Sequence, residues 1–125
     1  MLGHGIDLVD TARIQGMLDA HGDRFLKRCF SEAEIAYAQA NPRRRVEHLA
    51  GRFAAKEAIY KALGTGRSAG IRWTDAEVRR ESSGQPVVML SGRAEEIAAE
   101  RGIRRWWLSI SHVETYAMAS AIAEG

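Results

Sequence analysis

The sequence predicts one domain that mixes helices with hairpin-joined strands around a single long helix. Three observations predict it. Residues 44–64 are rich in alanine, contain no proline and stop at Gly64, the residue type a helix C-terminus favours. Residues 73–80 and 87–90 are strand-like stretches on either side of Glu81-Ser82-Ser83-Gly84-Gln85-Pro86, a hairpin connection. Residues 106–111 and 116–123 are apolar runs that flank a turn at His112-Val113-Glu114-Thr115.

The other elements follow in order. Residues 1–9 alternate apolar residues with glycines and predict a first strand. Gly3 and Gly5 there would let another segment approach the backbone closely. Asp10-Thr11 suits the N-terminus of a helix reaching about His21, with Ile14, Met17 and Leu18 apolar. His21-Gly22-Asp23 predicts a turn, and residues 24–30 a short basic segment with its cations at helical spacing. Ser31-Glu32-Ala33-Glu34 has the capping-box pattern, and that helix should end at Asn41-Pro42. A polar loop is expected from Gly64-Thr65-Gly66 through Gly70. Ser91 is expected to cap a short helix to about Glu100, with Ala94, Ile97 and Ala98 inward and Gly102 at its end. Residues 116–123 are rich in alanine, a poor strand former, so that strand is inferred from its hairpin context.

With 125 residues, 46% of them hydrophobic, the chain has enough apolar surface for one core. The net charge is only +2, but Arg13, Arg24, Lys27, Arg28, Arg43, Arg44 and Arg45 crowd the first part, which favours an acidic partner. A single cysteine, Cys29, excludes an internal disulfide and suits a reducing compartment. No signal peptide or membrane-length apolar run is visible, so a cytoplasmic protein without membrane contact is expected. One cysteine and four dispersed histidines lack zinc-ligand spacing, and no Walker loop or dinucleotide fingerprint occurs.

Four features bear on chemistry. On a helical wheel Glu57 falls among Val46, Leu49, Ala50, Phe53 and Tyr60, with Lys56 and Lys61 flanking that stripe. A buried carboxylate needs a partner, so Glu57 is either an i,i+4 ion pair with Lys61 or part of a site that neutralises it. Asp7 interrupts the first strand, as a strand-end carboxylate facing water or as a metal or phosphate-site ligand. Arg43-Arg44-Arg45 opposes the dipole of the long helix, as a solvated run or as a positive end awaiting phosphate. His112 is a turn histidine with a satisfied ring, or a base or phosphate contact.

Taken together, Gly3-His4-Gly5-Ile6-Asp7, Arg24-Phe25 with Arg28, Gly51-Arg52-Phe53-Ala54-Ala55-Lys56-Glu57-Ala58 with Lys61 and Gly64-Thr65-Gly66, and Ser109-Ile110-Ser111-His112 resemble the holo-acyl-carrier-protein synthases. These are the small bacterial-type 4′-phosphopantetheinyl transferases. The resemblance spans essentially the whole chain, with His4 standing where an aliphatic residue is more usual. It implies an α+β fold, with a small antiparallel sheet packed against one long helix and shorter helices, residues 1–125 forming one transferase domain. It implies transfer of 4′-phosphopantetheine from coenzyme A to a serine of apo acyl carrier protein, releasing adenosine 3′,5′-bisphosphate. Magnesium would be held by Asp7 and Glu57 with the pyrophosphate, and Lys61 would stabilise or protonate the leaving phosphate. Whether a carboxylate or water takes the serine proton stays open. Arg44, Arg45, Arg52, Lys61 and His112 are the expected coenzyme A contacts, with Gly64 and Gly66 allowing backbone approach. Arg13, Arg24 and Arg28, with Met17 and Leu18 as apolar contacts, would receive the acidic carrier protein. The family's trimeric assembly would put the sites at subunit interfaces, and the carrier (fatty acid, polyketide or other) is left open.

Two other classes compete. A nucleic-acid-binding module would use the arginine clusters, but aromatics are few and not interleaved with them, so no nucleic acid partner is expected. A magnesium-dependent phosphodiesterase would use the same Asp7, Glu57 and Lys61 without an acceptor.

Overall fold

In chain order the computed structural model gives β1 (Gly3–Asp10), α1 (Thr11–His21), α2 (Asp23–Cys29), α3 (Glu32–Gln39), α4 (Arg45–Leu63), β2 (Ala76–Arg80), β3 (Pro86–Leu90), α5 (Gly92–Glu100), β4 (Arg105–His112) and β5 (Tyr116–Glu124). It describes residues 1–66, 68 and 70–125; positions 67 and 69 of the expected polar loop lie outside the described residues. The fold is α+β. One antiparallel sheet has the order β1-β5-β4, and β2 and β3 form a second, two-stranded one.

The caps follow local chemistry. Asp10 accepts from the Ala12 amide at 2.8 Å and starts α1. Ser31 accepts from the Glu34 amide at 3.2 Å while Glu34 accepts from the Ser31 amide at 2.8 Å, completing the capping box of α3. Gly64, at φ 84°, ends α4 in the left-handed region. Two boundaries differ from expectation. Residues Pro42–Arg44 form a separate 3-10 turn, so α4 begins one residue late. Residues Trp73–Asp75 also form a 3-10 turn, and the strand starts only at Ala76. Tyr60 explains the second: its hydroxyl donates to the Arg72 and Trp73 carbonyls, at 2.7 and 3.1 Å, and accepts from the Ala76 amide, which holds the turn closed.

Helix α4 lies directly on the three-stranded sheet. A Cβ at Gly5 would sit 2.0 Å from the Ala58 carbonyl oxygen, and one at Gly3 1.9 Å from that of Ala62, so only glycine allows this approach. The central strand completes the bed. Ala117, Ala119, Ala121 and Ala123 alternate along β5 and are all buried. Alanine is a poor strand former, but here its small side chain lets a helix settle on the sheet.

The other side of α4 is covered too, by α3 and the β2–β3 hairpin. Helix α4 is therefore buried nearly all round, which overturns the expectation of one apolar face centred on Glu57. Glu57 is half-buried, whereas Lys56 is 0% exposed and paired with the equally buried Glu34 at 2.7 Å. A helical wheel assumes one buried face, and a helix enclosed on two sides has no such face to find.

Candidate active site

Strand β1 turns Gly3, Gly5, Asp7 and Val9 toward α4. Two residues beyond the tight Gly5–Ala58 contact, Asp7 meets the last turns of the helix. Lys61 Nζ donates to Asp7 Oδ1 at 3.0 Å and to the Ile6 carbonyl at 3.0 Å. Asp7 is 16% exposed in its side chain and Lys61 48%, so the pair sits at a wet edge. Glu57 is one turn before Lys61, a rise of about 6 Å. Sheet and helix thus bring together the strand carboxylate and the helix lysine, 54 residues apart in sequence. Just past the helix, Gly64 and Gly66 both have positive φ, and the Gly66 amide donates to the Tyr60 carbonyl at 3.1 Å. Arg101, which the sequence reading did not single out, donates to the carbonyls of Ala62, Leu63 and Leu2 and ties the end of α4 to the start of β1.

The opposite end of α4 gathers cations. His112 Nδ1 lies 3.0 Å from Glu47 Oε1. The His48 ring meets His112 edge-on at 5.6 Å and Tyr37 at 4.9 Å, and the Arg52 guanidinium lies 4.5 Å from the centre of the Tyr37 ring. Arg44 and His112 line an open cleft here with Asn41, Arg43 and Glu47. Arg45 and Arg52 do not line it, and Arg52 is only 3% exposed. Arg45 Nε, His48 Nδ1 and Arg52 Nε are buried without a hydrogen-bond partner among the described residues. These three residues share one stripe of α4, at i, i+3 and i+7, a spacing from which His48 was legible. Burial lowers the His48 pKa; His112 and Arg52 lower it further, against an opposing pull from Glu47.

The family model for the 4′-phosphopantetheinyl transferase superfamily matches residues 3–121. The chain is 48% identical over 124 residues to the holo-[acyl-carrier-protein] synthase of Koribacter versatilis, covering 99% of this chain and 98% of that one. It is 44% identical over 126 residues to that of Chlamydia trachomatis serovar L2, covering 99% and 100%. The chain belongs to the 4′-phosphopantetheinyl transferase superfamily. Among solved structures, the holo-[acyl-carrier-protein] synthase of Neisseria meningitidis superposes with a TM-score of 0.89 at 32% identity, covering 100% of this chain and 99% of that one. The Helicobacter pylori synthase in complex with coenzyme A gives 0.85 at 30% identity, covering 97% and 99%.

As a 4′-phosphopantetheinyl transferase the chain carries a second recess on the far side of α4. Arg13, Ile14, Met17, His21, Arg24, Phe25, Arg28, Cys29, Phe53 and Trp73 line a groove of about 430 Å³ between α1 and α2. Phe53 and Trp73 stack at 4.7 Å to form its inner wall, and the Arg13 guanidinium lies 5.2 Å from the Phe53 ring centre. Four of the five residues expected to dock a partner, Arg13, Met17, Arg24 and Arg28, line this groove. The fifth, Leu18, is 9% exposed and belongs to the core.

The donor chemistry at Asp7 fits a hard divalent cation. Asp7 and Glu57, on adjacent elements, are hard oxygen donors of the kind such an ion takes, and it would share Asp7 with the Lys61 ammonium, which lies 3.0 Å away. No group of three or more His, Cys, Asp or Glu gathers among the described residues, so further ligands would come from phosphate and water, as magnesium prefers.

Proposed function

We propose that this transferase moves 4′-phosphopantetheine from coenzyme A to a serine of apo acyl carrier protein, with magnesium at Asp7 and Glu57. The observation that carries the reading is the bond from Lys61 to Asp7 one turn from Glu57, at the edge where β1 meets α4. The serine oxygen, its proton passing to a carboxylate or to water near Asp7 and Glu57, forms a bond to the phosphorus bearing the pantetheine arm. The bond to the bridging pyrophosphate oxygen breaks, and adenosine 3′,5′-bisphosphate leaves. Magnesium, when bound, would neutralise the pyrophosphate and withdraw charge from it. Lys61 holds negative charge on the leaving phosphate through its ammonium. Lys61 and Arg44 are separated by roughly 25 Å of helix rise, too far for one coenzyme A. In the assembly, Arg44 and His112, at the open cleft, and Arg45 therefore bind the remaining phosphate of a coenzyme A whose pyrophosphate a neighbouring copy holds, with Arg52 behind them under Tyr37. Gly64 and Gly66 let the nucleotide approach the backbone. The groove of Arg13, Met17, Arg24 and Arg28 receives the acidic carrier.

The assembly is part of the same reading. Ile6 and Leu8 of β1, Trp107 of β4, and Tyr116 and Met118 of β5 are large, exposed and on the sheet face away from α4. Copies of the chain packing through that face as a homotrimer would cover it. The single, buried cysteine suits a reducing cytoplasmic setting, and no helix among the described residues is long and apolar enough to cross a membrane.

The test is a mass measurement on apo carrier protein incubated with the enzyme, coenzyme A and magnesium. A gain of one phosphopantetheine is expected, and an unshifted carrier beside an active control enzyme would sink the reading. Glu57→Gln should lower magnesium-dependent transfer by about 100-fold or more while leaving circular dichroism unchanged. Retained activity would remove Glu57 from the metal. Omitting the carrier separates the phosphodiesterase alternative, which alone would hydrolyse coenzyme A.

A further inference from the structure

Beside the half-buried Glu57 lies a charge that the reaction does not use. Lys56 Nζ has three acceptors: Glu34 Oε1 at 2.7 Å, the Ala76 carbonyl at 2.6 Å and the Trp73 carbonyl at 3.2 Å. Three acceptors match the three N–H bonds of an ammonium. Both Glu34 oxygens are engaged in turn, because Oε1 also accepts from the Ser31 amide and Oε2 accepts from the Val78 amide at 2.8 Å. Tyr60 grips the same 3-10 turn from the next helical turn, through the Arg72 and Trp73 carbonyls and the Ala76 amide. A fully buried ion pair is a poor source of stability, since well-packed apolar side chains of similar volume often do as well or better. What an apolar side chain cannot do is draw two carbonyls of one turn to a single point.

That turn carries Trp73, whose ring stacks on Phe53 at 4.7 Å as the inner wall of the α1–α2 groove. We propose that Lys56, seated on Glu34 and seconded by Tyr60, is a positioning residue for carrier-protein recognition, because it sets the Trp73 turn that walls the groove. The inference rests on the reading that this groove receives the carrier. Lys56 touches neither the carrier nor coenzyme A; it acts through the backbone of Trp73.

The test separates KM from kcat for each substrate in three variants of the full chain: Arg24→Ala at the groove rim, Tyr60→Phe, and the paired Lys56→Met with Glu34→Gln, which leaves no lone buried charge. Tyr60→Phe should raise KM for the carrier about fivefold and the pair about tenfold, with KM for coenzyme A and kcat within about twofold of the parent. A merely structural role would reduce the active fraction, and so kcat, while leaving KM for the carrier unchanged. If Arg24→Ala raises KM for the carrier but Tyr60→Phe, with a parental circular dichroism spectrum, does not, the inference fails alone. An Arg24→Ala enzyme with the parental KM for the carrier would remove the groove reading and the inference with it. Should the paired variant not fold, Tyr60→Phe still decides.

Discussion

At the scale of single residues, the cluster around His48 makes the protein sensitive to acid. The ring is half-buried, and its pKa is lowered first by burial and then by its interactions with His112 and Arg52. The folded state therefore binds this proton less well than the unfolded chain, whose ordinary value is 6.5. Stability is complete above that value and falls as pH drops through the window between it and the lowered folded-state value, because there the unfolded chain holds more protons. Melting temperatures followed from about pH 7.5 down to about pH 5 should decline, and His48→Phe should flatten the upper part of that decline. An identical slope in the variant would assign the acid loss to other groups. Asp7 and Lys61 show a different side of the residue scale. Each was identifiable as a candidate from its type and position, but their bond depends on how closely Gly5 lets the helix approach.

At the scale of elements, the capping box at Ser31 does two jobs. It starts α3, and it orients the Glu34 carboxylate that accepts from Lys56 and Val78. Ser31→Ala should cost about 1 kcal/mol, the usual value of an N-cap hydroxyl, and lower the melting temperature by about 4 °C. A thermal melt showing no change would mean that the Glu34 contacts hold the first turn without the serine. Caps of this kind were legible because they are local: Asp10, Ser31 and Gly64 act within a few residues of themselves. Strand β5 was harder to read, since its alanines are explained by the helix lying on them and not by any preference of their own. The 3-10 turn at Trp73 was hidden for the same reason, being held by Tyr60 and Lys56 from another element.

At the scale of the whole molecule, the sheet has one face under α4 and another that leaves Ile6, Leu8, Trp107, Tyr116 and Met118 in water. A trimer built through that face predicts a native mass of three chains by light scattering. Leu8→Lys together with Met118→Lys should shift the protein to the mass of one chain, with loss of transferase activity if each site is completed by a neighbouring copy. A wild-type protein that scatters as a single chain would end the trimer reading.

By itself the sequence determined where helices and strands begin and end to within a few residues, and it singled out, by side-chain type, the candidates for phosphate and metal chemistry. Capping, glycine punctuation and side-chain type are local properties. The tertiary structure alone decided that Lys56 and Arg52, and not Glu57, are buried charges of α4, that Leu18 is core, and that Arg52 lies beneath Tyr37. Those outcomes depend on what packs against the second side of a helix, and no wheel drawn on one segment contains that information.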